Sequence, residues 1–299
     1  MLFPAIEILA NHGFLSICQN YCVKQACQLR LQWFVKVCKK KLLELQERDL
    51  SVFDFVAIFI DGKCFGENEI VIAVGLTMTG EKIVLGFVET STENSRVCSR
   101  FVNSLTERGL STEHEMLVIV DGSKGLRKGL KDALGGKAII QRCQWHKREN
   151  VVAHLEGPKK ERFRRKLREA YRQPTEAKMR KALEKIGQEL QPINESAWNS
   201  LQEGLEETLT VSKLGIADTL AQSLRTTNCI ENINALLGGY TDRVDHWKTS
   251  NQRQRWVAAA LLEIEPNLKR VFGHRHLGAL RQALKEFVGK AVSQAARAA

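Results

Sequence analysis

Two aspartates stand where short apolar runs end. Phe55-Val-Ala-Ile-Phe-Ile60 closes on Asp61-Gly62, and Met116-Leu-Val-Ile-Val120 closes on Asp121-Gly122. A carboxylate at the mouth of a buried strand is costly unless something offsets its lost hydration. A hard divalent cation does so, since Mg²⁺ is typically held by one or two carboxylates together with phosphate oxygens. If the two strands are neighbours, both side chains emerge at one sheet edge. Two metal ions about 3.5–4 Å apart could then activate an attacking oxygen and stabilise a leaving one. Asp-Gly is also a common turn dipeptide, so either aspartate alone reads as a turn. Two such pairs, each closing a buried strand, favour a site.

A third carboxylate must come from elsewhere. Glu231 lies in Thr226-Thr-Asn-Cys-Ile-Glu-Asn-Ile-Asn234, on a helix whose apolar face is Ile230, Ile233 and Leu237. The competing reading is a capping box, in which Glu231 reaches back to the amide of Asn228. Gln141-Arg-Cys-Gln-Trp-His-Lys-Arg-Glu-Asn150 is the other dense cluster. Cys143-x-x-His146 is half of a zinc site without a well-spaced second pair, so a buried thiol beside a hydrogen-bonded imidazole is the expectation. Arg142, Lys147, Arg148, Lys159, Lys160, Arg164 and Arg165 are candidate phosphate contacts, although a solvated helix face explains such charges nearly as well. Trp198 reads as core, with stacking on an unpaired base as the alternative. There is no Gly-x-Ser-x-Gly elbow and no Gly-rich phosphate loop.

The elements that must position these residues change texture along the chain. Residues 1–50 are helical in pattern. Buried strands follow at 55–60, 70–76 and 83–88, then a helix over 92–108, a strand at 116–120, a helix that Ser123 caps, and a short strand at 138–140. From His146 to Leu224 the pattern is helical throughout, and short helices follow at 228–237, 256–263 and 277–288. Three strands in a meander, then alternating helix and strand, imply a mixed α/β sheet with helices packed on it. That order suits a ribonuclease H-like core interrupted by a large all-helical insertion. The division expected is a helical segment at 1–50, a core from 51–145 and 225–245, an insertion at 146–224, and a helical segment at 246–299.

The 299 residues carry a formal charge of +11 and 43% hydrophobic residues, enough for a sizeable core. A surplus of Lys and Arg favours a polyanionic partner, because each cation placed on a phosphate releases a counterion. Residues 147–172 concentrate it, with ten Lys/Arg against four Asp/Glu. No apolar stretch is long enough to span a membrane. The first twenty residues lack a basic start and contain Glu7, so they do not read as a signal peptide. Eight scattered cysteines then fit reduced thiols in a cytoplasm.

Several segments together resemble the bacterial Mutator-type insertion-sequence transposases. They are Phe59-Ile-Asp-Gly-Lys63, Gly80-Glu-Lys-Ile-Val-Leu-Gly86 with Thr92-Glu-Asn94, Val120-Asp-Gly-Ser-Lys-Gly-Leu126, Gln141-Arg-Cys-x-x-His-Lys-Arg148 with Asn150, Thr226-Thr-Asn-x-x-Glu231, and the stretch from Asp245 to Trp256. The resemblance covers about residues 37–290. It implies a ribonuclease H-like fold and a DDE transposase that cleaves and joins DNA strands with Mg²⁺ or Mn²⁺. Asp61, Asp121 and Glu231 fall on the catalytic triad, and Cys143 and His146 fall on a signature expected to support it. The implied partners are double-stranded DNA, as terminal repeats and target, and further copies of the chain on that DNA. The implied setting is a bacterial nucleoid. Only sixty residues precede Asp61, so a shortened end-recognition region is expected. A DNA-binding remnant without catalysis and a stand-alone nuclease are the alternatives.

Overall fold

The structure is a computed structural model that describes residues 21–65, 68–90, 95–216, 218–242, 244, 247 and 249–298. Thr92-Glu-Asn94, Asp245-His246 and the first twenty residues lie outside the described residues. The chain divides into two compact units, Met1–Arg48 with Asn232–Asn267, and Asp49–Glu231 with Leu268–Ala299.

The larger unit is built on five strands, β1 (Phe55–Phe65), β2 (Asn68–Thr77), β3 (Lys82–Thr90), β4 (Met116–Val120) and β5 (Ala138–Arg142). Their order in the sheet is β3-β2-β1-β4-β5. The first three form an antiparallel meander. β4 and β5 run parallel to β1, which requires crossovers. Helices α2 (Ser95–Glu107) and α3 (Lys124–Leu134) supply them; α1 (Tyr21–Gln46) belongs to the smaller unit. The fold is therefore mixed α/β, as the sequence indicates.

Side chains alternate across a strand, so each strand divides its residues between two faces. Ile58 and Ile60 of β1, Val118 and Val120 of β4, and Ile140 of β5 pack in one cluster with Phe101, Val102 and Leu105 of α2 and Leu126 and Leu130 of α3. Asp61, Asp121 and Cys143 have the other parity and leave on the opposite face. Asp61 corrects one expectation. The strand does not stop before it: β1 runs on to Phe65, and Asp61 is paired with Ile72 of β2. The turn reading of Asp61-Gly62 is thereby excluded. Asp121, by contrast, does follow the last residue of its strand.

After β5 the chain enters α4 (Gln144–Ala153), α5 (Gly157–Tyr171), α6 (Glu176–Leu190), α7 (Glu195–Gln202), α8 (Leu205–Thr208), α9 (Thr210–Lys213) and α10 (Asp218–Leu224). α4 to α8 bury a core of their own around Phe163, Leu167, Met179, Leu183 and Leu201. The amphipathic pattern from Trp198 to Leu209 reads as one helix but is broken at Gly204, whose φ of +65° ends α7 and restarts the chain as α8. Trp198 packs against this core. α11 (Asn228–Thr241) follows, and α13 (Leu277–Ala298) closes the chain, burying Leu277, Leu280 and Leu284. Arg281 of α13 donates to Asp54 Oδ1 at 2.7 Å and to the Phe55 carbonyl at 2.9 Å, fixing the start of β1.

In the smaller unit α1 packs on α12 (Ser250–Ile264), with the Phe34 and Trp256 rings edge to face at 5.4 Å. Arg48 and Glu265 pair at 2.7 Å. No helix among the described residues is long and apolar enough to cross a membrane.

Candidate functional site

Strand register places the first carboxylates. Ile60 pairs with Val120, and Val120 with Arg142, across three parallel strands. The next row is therefore Asp61, Asp121, Cys143. The Cys143 amide donates to the Val120 carbonyl at 2.7 Å, so the ladder continues to that row. Ser123 N donates to Asp121 Oδ1 at 2.9 Å, and the Ser123 hydroxyl caps α3, so Asp121 is steadied by the turn it opens.

Glu231 comes from α11. Thr227 accepts from the amides of Ile230 and Glu231 at 2.8 and 3.1 Å, which makes Thr227 the helix cap and moves Glu231 beyond the position a capping box requires. Glu231 Oε1 is buried and has no hydrogen-bond partner among the described residues. The capping reading fails, and a buried carboxylate oxygen is left available. Such an oxygen is expensive to leave unmatched, which fits a cation ligand.

Thr227 joins the two halves. Its amide and hydroxyl reach Cys143 Sγ at 3.4 and 3.5 Å, and its hydroxyl lies 3.4 Å from His146 Nδ1. The donor atoms of Cys143, His146 and Glu231 lie within 4.8 Å of one another. Among the described residues this is the tight donor group; the three carboxylates do not close to that extent. They are nonetheless one electrostatic cluster. Burial pushes the Asp61 carboxyl up to about 7, with the charges of Asp121 and Glu231 adding to it, and the charge of His146 and a hydrogen bond from the Thr227 hydroxyl opposing it. Asp61 is only 3% exposed. A desolvated carboxyl among like charges suits a site completed by a divalent cation. Burial likewise raises the Cys143 thiol above the usual range.

The basic residues divide. Arg142 and Lys147, expected on DNA, are buried at 4% and 0% exposure and cannot reach a phosphate. Arg142 Nη1 donates to the Glu203 carbonyl at 2.9 Å, and the Lys147 ammonium donates to the carbonyls of Ser200 and Glu203. Burial, with Arg142 adding to it, brings Lys147 down to about 7 against the pull of Glu203 and Glu207. Both side chains bind the end of α7 to the core. Arg148 and Arg164 both hold Glu149, at 2.8 and 3.0 Å. Lys159 and Arg165 are exposed, and Lys160 is half-buried. Thr227 was not singled out by the sequence reading, although the run Thr226-Thr-Asn228 carries it. Arg168 and Arg172 belong to the basic run 147–172 that the charge pattern marks, whereas Trp145 and Arg225 carry no signal of their own and no spacing pattern connects them to it.

The sequence profile of the family described as "Transposase, Mutator family" matches residues 17–290. The chain belongs to the Mutator family of transposases. The family match begins at residue 17, twenty residues ahead of the motif resemblance, and so takes in α1. Similar proteins include the transposase of insertion sequence IS256 in transposon Tn4001 of Staphylococcus aureus, 24% identical over 88% of this chain and 69% of that protein. The IS905 transposase of Lactococcus lactis is 26% identical over 67% of this chain and 51% of that protein. The IS406 transposase of Burkholderia multivorans is 30% identical over 66% of this chain and 50% of that protein. The chain thus spans about half to two thirds of the length of these relatives.

Proposed function

We propose that this chain carries the catalytic centre of a DDE transposase that cleaves double-stranded DNA at insertion-sequence ends and joins them to target DNA. The observation that carries the reading is the row Asp61, Asp121 across neighbouring parallel strands, faced by Glu231 with an unpartnered buried oxygen. The sheet order supports a ribonuclease H-like core at 51–145 and 225–245, interrupted by the insertion at 146–224 and flanked by 1–50 and 246–299. These functional limits differ from the compact units because α11 begins in one unit and ends in the other.

Asp61, Asp121 and Glu231 would hold Mg²⁺ or Mn²⁺. Bound there, the ions supply positive charge to the attacking and leaving oxygens of an in-line displacement. In cleavage a water oxygen attacks phosphorus, the bond to O3′ breaks, and the leaving oxygen takes a proton to become a 3′ hydroxyl. In joining, that 3′ oxygen attacks a target phosphodiester and expels another O3′. Thr227 fixes His146 and Cys143, and His146 in turn favours the ionised form of Asp61. The working form is proposed to be an oligomer on paired DNA ends, in a bacterial cytoplasm.

The test is nicking of supercoiled plasmid in Mn²⁺. The wild-type chain nicks, and Asp121→Asn loses the activity. Nicking that survives in both Asp61→Asn and Asp121→Asn overturns the proposal. Salt-sensitive DNA binding that ignores metal, with no nicking by the wild type, identifies a catalytically silent remnant instead.

A further inference from the structure

Beside the carboxylates, α4, α5, α10 and the start of α11 line an open cleft of about 580 Å³, within the size range of small-ligand sites. Four arginines line it, Arg148, Arg168, Arg172 and Arg225, against one acidic residue, Asp218. Arg148 is engaged by Glu149. Arg168 and Arg172 are exposed, four residues apart on and just past α5, and neither forms an ion pair among the described residues. Arg225 Nε is buried without a hydrogen-bond partner among the described residues, while its backbone carbonyl accepts from Gln144 N at 3.0 Å. At the rim stands Trp145, 39% exposed although it is among the largest apolar side chains. Its ring meets that of His146 edge to face at 4.7 Å.

We propose that this cleft receives one unpaired nucleotide of the DNA strand, its base against the Trp145 indole and its flanking phosphates on Arg168, Arg172 and Arg225. The aromatic face and the guanidinium forks are complementary to a base and a phosphate, and each covers what the other does not. A paired base has its two faces covered by its neighbours, so only an extruded or single-stranded base stacks on the indole. The cleft adjoins the carboxylates through His146, whose charge acts on Asp61. A nucleotide held there anchors the strand next to the phosphate to be cut. The identity of the strand as DNA rests on the transposase reading; the stacking pocket itself does not.

The experiment is fluorescence anisotropy with the whole chain in EDTA, so that no chemistry intervenes. The probes are a short labelled oligothymidylate, an abasic strand with the same phosphates, and a blunt duplex. Base–aromatic stacking contributes about 1–3 kcal/mol, so loss of the bases weakens wild-type binding by a factor of about 5 to 160. Trp145→Ala binds both strands alike, and Trp145→Phe recovers most of the difference. Arg168→Gln with Arg172→Gln weakens both strands equally and flattens the salt dependence. Unchanged base preference in Trp145→Ala overturns the proposal, as does a blunt duplex that depends on Trp145 as strongly as the single strand. Plasmid nicking that needs Asp121 but no base preference at Trp145 refutes the cleft alone. Base preference without any nicking leaves the cleft and removes the catalytic reading.

Discussion

The guanidinium of Arg142 fills the space where a side chain on Gly122 would stand. Gly122 has a φ of +108°, and on the other side Gly204, with φ of +65°, leaves room for the same group. One arginine thus passes between two glycines, tying the turn after Asp121 to the end of α7. Gly122→Ala therefore introduces both backbone strain and a collision. The expected loss is about 2–4 kcal/mol of unfolding free energy by urea titration, together with at least a tenfold fall in nicking as Asp121 is displaced. Gly136→Ala, where nothing stands within 4 Å, is the control and changes neither.

Asp61 makes stability depend on pH in a defined direction. Its folded pKa, about 7, lies above the unfolded carboxylate value, so the native state binds more protons between about pH 4 and 7. Stability from this group is full below that window, falls as pH rises through it, and is level above pH 7. The slope cannot exceed about 1.4 kcal/mol per pH unit for one proton. In EDTA, Asp61→Asn should melt higher than wild type at pH 8 and lose this part of the slope. Mn²⁺ should raise the wild-type Tm at pH 8 and leave that of Asp61→Asn almost unmoved. Equal pH slopes in the two proteins contradict the assignment.

Lys147 is fully buried and donates to two main-chain carbonyls at the end of α7. Lys147→Ala removes the donor and leaves the Ser200 carbonyl without it, while Arg142 still serves the Glu203 carbonyl. The expected destabilisation is about 3 kcal/mol. Lys147→Met keeps the volume and removes the desolvated charge, and should cost clearly less. Urea denaturation ranks the two, and equal losses would show that the loss comes from the missing ammonium donor, with the side chain's volume contributing nothing.

Thiol reactivity should follow burial. Among the described cysteines Cys64 is exposed, whereas Cys38, Cys98 and Cys143 are buried. Burial holds the Cys143 proton on and slows attack, because the thiolate is the nucleophile. Limited alkylation read by peptide mass spectrometry should label Cys64 first and Cys143 only after denaturation. Early labelling of Cys143 would mean that α11 does not cover it.

The strands were legible because each is a short, nearly continuous apolar run, and in this sheet each run is buried. Their ends were less so. β1 carries Asp61 and Gly62 within the strand because ladder bonds to β2 hold it to Phe65, and such bonds leave no local sign. Asp61, Asp121 and Glu231 stand out in the sequence by type and position, yet the helix cap is Thr227 rather than Asn228, a difference of one residue that changes what Glu231 can touch. Arg142 and Lys147 misled because charge in a basic run looks solvated, and only tertiary contact shows that these two point inward. The arginines of the cleft come from α4, α5 and the segment before α11, so folding alone brings them together.

Strand β5 is the last in the sheet, and its free margin is not bare. The Thr210 hydroxyl donates to the Ile140 carbonyl at 2.8 Å, and the Gln141 side chain accepts from Val211 N and donates to the Thr208 carbonyl at 2.8 and 3.1 Å. α8 and α9 therefore serve as a hem on the sheet. A chain trimmed of the insertion would expose a row of unmet amides and carbonyls ready to pair with another molecule. The helices between Arg142 and Leu224 thus cover a sheet edge that would otherwise stand open, and a core trimmed of them is expected to pair edge to edge with other copies.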